Sequence, residues 1–212
     1  KPYRFSKFEC VMVKSLKIYT ESNNFKIGIE YLILYALFIS LISIYTSNNY
    51  YYNNLNETLT TLGILLVLIT FVYFVILIFA NLFRYEKVNG DLSDDLIFDT
   101  HKITAGDATY YLLDIEGVII ENSDIKGSVI NSTFAFRPHR SNGLKNYVEL
   151  YLKDGTNIKY NFLQSDSDKI KIFDCELITY YKERKIGWQN LLNCLEIDGY
   201  DNIQEFKRTF RL

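Results

Sequence analysis

Hydrophobic and polar positions divide the chain into stretches with different periods. Residues 31–56 contain no charged side chain, nor do residues 58–83. The segments 27–45 (IGIEYLILYALFISLISIY), with Glu30 near its start, and 60–83 are almost wholly apolar. A helix needs about 20 apolar residues to cross the hydrocarbon core of a bilayer, so both are predicted spans, and the pair forms a transmembrane hairpin over 27–83. After Arg84 the pattern changes to short alternating runs, which predict strands at 96–98, 102–104, 109–113, 117–121, 128–136, 147–153 and 157–162. The last two run through the turn pair Asp154-Gly155, which suits a tight hairpin. The period then lengthens. Ser165-Asp166-Ser167-Asp168 supplies capping chemistry for a helix reaching Lys185, with Ile170, Phe173, Leu177, Ile178 and Tyr181 on one face. Gly187 and Gly199 punctuate two further short helices, the last capped by Asp201.

The hairpin carries its own orientation signal. The connection 46–57 (TSNNYYYNNLNE) has no Lys or Arg, whereas Lys14, Lys17 and Lys26 precede the first span and Arg84 and Lys87 follow the second. Basic flanks stay on the cytosolic side. This predicts an inner (cytoplasmic) membrane protein with both flanks, and so both termini, in the cytosol and the connection outside. Tyr45, Tyr50, Tyr51 and Tyr52 would belt the outer interface, and Tyr31 and Tyr85 the inner one. Ala36 and Ser40 form a small pair that would let the helices approach. Glu30 is the ionisable exception. An antiparallel hairpin sets the start of one span beside the end of the other, so Glu30 is expected to meet Asn81 and Arg84 in an interfacial contact that fixes register. Two spans with one marginal acid lack the repeats and broken helices of a transporter. The hairpin therefore reads as an anchor or assembly surface.

Ahead of it, Phe5, Phe8, Met12, Leu16 and Tyr19 recur at helical spacing among lysines, which predicts an amphipathic helix on the inner leaflet over 1–26. The expected organisation is thus a basic segment (1–26), the hairpin (27–83), a β-rich domain with a closing helix (84–186) and short C-terminal helices (187–212). The fold class is a membrane α-helical hairpin plus an α+β soluble domain, PH-like or a small β-barrel with C-terminal helices.

Charge refines this. Residues 1–26 carry six Lys/Arg against Glu9 and Glu21, whereas 84–212 carry 17 against 21 Asp/Glu. A basic flank suits anionic lipid. An acidic domain argues against nucleic acid as partner, since such binding needs a basic surface. Cys10, Cys175 and Cys194 make no C-x-x-C pair and, being odd in number, no disulfide framework. They read as reduced, in a reducing compartment. His101 and His139 stand alone, so no metal set is expected. Nucleophile elbows, phosphate loops, dinucleotide fingerprints and zinc motifs are all missing from the sequence. The expectation is a protein with no catalytic residues, no metal and no cofactor. The chemically richest segment is 136–145, where Arg137, His139, Arg140 and Lys145 flank a flexible Asn142-Gly143. Arginines in such a loop could clamp a phosphate, and Tyr110, Tyr111, Tyr147, Tyr151 and Tyr160 could stack on a base.

Two spans followed by KITAGDATYYLLDIEGVII, the hairpin NYVELYLKDGTNIKYNF and a closing helix resemble bacterial membrane proteins with a PH-like domain, in which a strand–turn–strand ends in a D-I pair, here Asp114-Ile115. The resemblance covers about residues 27–185. The same order is similar to the CD-NTase-associated two-transmembrane β-barrel effectors of antiphage defence. That likeness implies a cyclic-nucleotide ligand and oligomerisation that disrupts the inner membrane, and maps no ligand residue onto particular positions. Taken together, the residues favour a non-enzymatic accessory or regulatory subunit. Its partners would be membrane lipids and other membrane protein subunits or further copies of itself, and the cyclic-nucleotide effector is the alternative.

Overall fold

The computed structural model describes residues 14–22, 29–49, 55–130, 137–165 and 170–211. Seven strands form one antiparallel sheet: β1 (Leu16–Glu21), β2 (Gly90–Phe98), β3 (Lys102–Ala105), β4 (Ala108–Tyr111), β5 (Ile115–Glu121), β6 (Asn146–Leu152) and β7 (Asn157–Phe162), in the order β4-β3-β2-β1-β7-β6-β5. Five helices accompany them: α1 (Ile29–Asn49), α2 (Leu55–Asn81), α3 (Asp174–Lys182), α4 (Trp188–Leu195) and α5 (Tyr200–Phe210). The α+β expectation holds. The ladder does not close into a barrel, because β4 and β5 stand at its two ends. The sheet is nevertheless rolled: the hydroxyls of Tyr110 in β4 and Tyr160 in β7, four strands apart in the order, lie 2.6 Å from each other.

The chain divides into two compact units. One comprises residues up to Ser22, Lys87–Ser128 and Ser141–Leu212; the other comprises Asn23–Glu86 and Val129–Arg140.

In the first unit the largest departure from the sequence reading is β1. An amphipathic helix is expected through Leu16 and Tyr19, but Leu16–Glu21 is a strand at the centre of the sheet, paired with β2 on one side and β7 on the other. The reason is visible in the residues. Leu16 and Ile18 alternate with Lys17 and are buried to 0% and 6% exposure, which is the period of a strand. Ile18, Tyr19 and Thr20 also favour extended backbone. A short apolar run fits both periods, and pairing decided between them. The rest of the predicted helix, residues 1–13, lies outside the described residues.

The domain boundary moves accordingly. The β-rich domain does not begin at residue 84 but takes its central strand from before the apolar hairpin, which is an insertion between β1 and β2. The chain departs and returns at one place: Glu21 pairs with Gly90, and the Ser22 N–H donates to the Asn89 carbonyl at 2.7 Å. A Cβ on Gly90 would stand 2.0 Å from the Thr20 carbonyl oxygen, so the junction has room only for glycine.

The C-terminal helices are not a separate segment. Phe173, Leu177 and Tyr180 from α3 and the turn before it, Leu191, Leu192, Cys194 and Leu195 from α4, and Phe206 from α5 share one core with the inward residues of the sheet. Phe98 meets Phe173 edge-to-face at 5.0 Å, and the Tyr180 hydroxyl donates to the Asp99 carbonyl at 2.6 Å. One sheet edge is blocked. The side chain of Asn190 accepts from the Ile120 N–H at 3.0 Å and donates to its carbonyl at 2.6 Å, and the Val118 N–H reaches the Lys185 carbonyl at 2.7 Å. Of the strand expected at 128–136, the described residues 128–130 carry an isolated bridge at Val129, and residues 131–136 lie outside the described ones. The capping residues Asp166–Asp168 lie outside them too, and α3 follows a 3-10 turn, Ile170–Phe173, without a side-chain cap. Gly199, not Asp201, takes the cap position of α5.

In the second unit, α1 and α2 pack as a hairpin. Ile33, Ser40, Gly63 and Leu77 lie in the seam, and a Cβ on Gly63 would meet Ile44 at 2.7 Å. Ser40 satisfies its hydroxyl on the Ala36 and Leu37 carbonyls, both at 2.9 Å; Ala36 itself faces outward. Among the described residues one helical segment, Thr60–Asn81, is long and apolar enough to cross a membrane, with a mean hydropathy of 3.1; the apolar part of α1, Tyr31–Thr46, is shorter.

Candidate functional site

A helix ends with carbonyls that have no partner within it. At the end of α2 the segment predicted as a cationic loop supplies partners. The His139 N–H donates to the Asn81 carbonyl at 2.9 Å and the Arg140 N–H to the Arg84 carbonyl at 3.1 Å. In return, the Glu86 N–H donates to the Arg140 carbonyl at 2.8 Å, and Tyr85 and Arg140 form a parallel bridge. The Ile130 N–H donates to the His139 carbonyl at 2.9 Å. Arg84, Arg137, His139 and Arg140 thus lie in the backbone segments joined at the foot of an apolar helix. Arg84 and Arg137 are exposed, and His139 and Arg140 are half-buried.

The sequence treated 136–145 as one loop, and the structure cuts it between Arg140 and Ser141. Arg137, His139 and Arg140 belong to the unit of the hairpin, Lys145 to the unit of the sheet. The predicted contact of Glu30 with Asn81 and Arg84 is described only in part. Asn81 is 3% exposed and Arg84 exposed; the backbone of Glu30 lies in the first turn of α1, and its side chain lies outside the described residues.

Sequence reasoning missed the polar knot at the root of this segment. The Ser141 hydroxyl donates to the Asp124 carboxylate, and the Lys145 N–H reaches the other carboxylate oxygen at 3.0 Å. Asn146 accepts from the Asp124 N–H at 2.9 Å and donates to the Asp124 and Gly143 carbonyls at 2.7 and 2.9 Å. Ser141, Asn146 and Gln164 are fully buried. Gly143 takes φ +75°, and a Cβ there would meet the Gln164 carbonyl at 2.5 Å. The Ser141 N–H bonds the Ser128 carbonyl at 2.9 Å and the Gly127 N–H bonds the Ser141 carbonyl at 2.8 Å. The excursion 129–140 therefore leaves and rejoins the sheet unit on a hydrogen-bonded pair, as 23–86 does. The Asp, Ser, Asn and Gly residues of the knot were visible as loop chemistry. Their convergence was not, because Asp124 and Asn146 are 22 residues apart.

The tyrosines considered for stacking divide. Tyr110 and Tyr160 are half-buried inside the rolled sheet, and burial pushes the Tyr160 phenol up to about 12. Tyr147 carries the ammonium of Lys159 over its ring at 3.5 Å. Among the described residues no cluster of His, Cys, Asp and Glu could hold a metal. Of the cysteines, Cys194 is buried and Cys175 partly so; Cys10 lies outside the described residues. Burial raises the Cys194 thiol to about 12, which leaves it protonated and unreactive. No family model, curated protein or solved structure matches the chain.

Proposed function

We propose that the protein is a membrane-anchored accessory module: α1 and α2 span the cytoplasmic membrane as a hairpin, and the β-rich unit on the cytosolic side binds a protein or lipid partner of a membrane assembly. The observation that carries this is the apolar surface left open on the faces of both helices that point away from their seam. Leu34, Phe38 and Ile39 of α1 and Leu68, Phe71 and Phe79 of α2 are 58–65% exposed, among many others. Burying a Leu or Phe side chain is favourable by about 1.5–3 kcal/mol, so a surface of this extent favours lipid over water by tens of kcal/mol.

The sheet supports two crossings rather than one. An insertion that leaves at Ser22 and returns at Asn89, across a 2.7 Å hydrogen bond, crosses a bilayer an even number of times. At about 1.5 Å per residue, the 22 residues Thr60–Asn81 of α2 give about 33 Å, enough for the hydrocarbon thickness of about 30 Å, and the apolar part of α1, Tyr31–Thr46, gives about 24 Å. The cationic foot of α2 suits the anionic headgroups of the inner leaflet.

Cysteines placed at Asn53 and Thr156 in a background without native cysteines test the reading. A membrane-impermeant maleimide should label position 53 in intact cells and position 156 only after lysis, and alkaline carbonate should leave the chain in the pellet. Release by carbonate, or equal labelling of both positions, removes the membrane reading. A monodisperse monomer purified from native membranes with nothing bound removes the accessory role.

A further inference from the structure

We infer that the groove between the ends of α3 and α5 and the start of α4 binds a multiply phosphorylated anion. The groove encloses about 540 Å³ and is walled by Lys182 and Arg184 at the end of α3, Gly187 and Trp188 at the start of α4, and Arg211 after α5. Lys185 also lines it, and Glu116 is the sole acid on its wall. This concentration of cations stands in a stretch, residues 84–212, where acids outnumber bases 21 to 17. Lys185 is occupied, its ammonium donating to the Ile115 carbonyl at 2.5 Å. Among the described residues no carboxylate pairs with Lys182, Arg184 or Arg211.

Two backbone features point the same way. The end of α3 closes with the Lys185 N–H on the Tyr180 carbonyl at 2.7 Å and the Arg184 N–H on the Tyr181 carbonyl at 2.9 Å. That pattern ordinarily places glycine where Arg184 stands. Arg184 takes φ +59° and Arg211 φ +52°, a left-handed conformation disfavoured for any residue with a Cβ. Both groove arginines thus close helix ends in the left-handed conformation, as Glu196 does at the end of α4, and both occupy positions that glycine would fill at less cost. The wall also includes the start of α4, whose cap Gly187 brings no side-chain hydrogen bond; the open N–H groups of a helix start favour anions. Guanidinium forks match phosphate oxygens two at a time. Several cations and a volume well beyond one orthophosphate fit a ligand with more than one phosphate, presented by a soluble metabolite or by a lipid headgroup. This does not depend on the hairpin crossing a membrane.

Trp188 is the one tryptophan in the chain and lines the groove, so its emission reports occupancy. The full chain in detergent is titrated with pyrophosphate and with inositol hexakisphosphate at constant ionic strength. In parallel, it is compared in phosphatidylcholine nanodiscs with and without phosphatidylinositol 4,5-bisphosphate. A saturable change with the soluble anions assigns a free ligand; a change confined to the bisphosphate nanodiscs assigns a headgroup. Arg184→Gly should raise Tm by about 2–4 °C, by relieving the left-handed backbone, while weakening binding at least tenfold; Lys182→Gln, at an exposed position, should weaken binding with Tm unchanged. No saturable change with any probe, or a response undiminished in both variants, overturns the assignment.

Discussion

Leu16→Ala tests whether the segment before the hairpin is the centre of the sheet. Leu16 is 0% exposed, sits in register with Leu96 of β2 and belongs to the core shared with the C-terminal helices. Truncating a leucine so enclosed costs about 2.7–5.0 kcal/mol, from lost transfer energy and the cavity left behind. In a chain of this size each kcal/mol lowers Tm by about 2–4 °C, so the melt should fall by about 5–20 °C. Thr20→Ala, at an exposed position near the end of the same strand, should stay within about 0.5 kcal/mol of the parent. Trp188 emission follows the melt directly, since its ring lies 6.1 Å from that of the fully buried Phe206. A lipid-facing amphipathic helix would give a different result: Leu16→Ala would weaken membrane association and leave the melt unchanged. If both variants melt within 1 °C of the parent, β1 is not part of the core, and the case for the hairpin as an insertion in the sheet falls with it.

Three further outcomes follow from the geometry. Gly90→Ala drives a methyl to 2.0 Å from the Thr20 carbonyl; overpacking of about 1–3 kcal/mol should open the junction, read as faster hydrogen exchange at the Ser22 amide, and slow exchange there would refute it. Asn190→Ala strips both hydrogen bonds from Ile120 and should cost about 1–3 kcal/mol, whereas Gln189→Ala, bonded only to Asn193, should cost little; equal melts for the two would show that the edge needs no blocking. The Cys194 thiol, raised from 9.0 to about 12 by burial, stays protonated in the folded state while the unfolded chain ionises. Its contribution is therefore full below about pH 9 and lost as pH rises towards 12. Urea midpoints should fall over that window, less steeply in Cys194→Ala, with Tyr160 and Tyr180, both raised by burial, leaving a residual slope; identical slopes would refute the assignment.

The elements legible in the amino-acid order are those whose signal is local. Both apolar helices, the β6–β7 hairpin and the short helix at Trp188 follow from composition and period, because residues close in the chain decide them. The turn at Asp154 is equally local, with its carboxylate accepting the Thr156 N–H at 2.8 Å. The remaining features depend on partners far away in the chain. Leu16–Glu21 satisfies both periods, and two neighbouring strands, one of them 70 residues on, made it a strand. The cationic loop reads as one unit until its N–H groups find the Asn81 carbonyl at the end of α2 and the Arg84 carbonyl beyond it, which divides Arg137, His139 and Arg140 from Lys145. The groove of Lys182, Arg184 and Arg211 was invisible in sequence, since Arg211 lies in no motif with the others. Three helix ends placed against one edge of a rolled sheet bring them together, and unpaired positive charge acquires chemical meaning only once its neighbours in space are fixed.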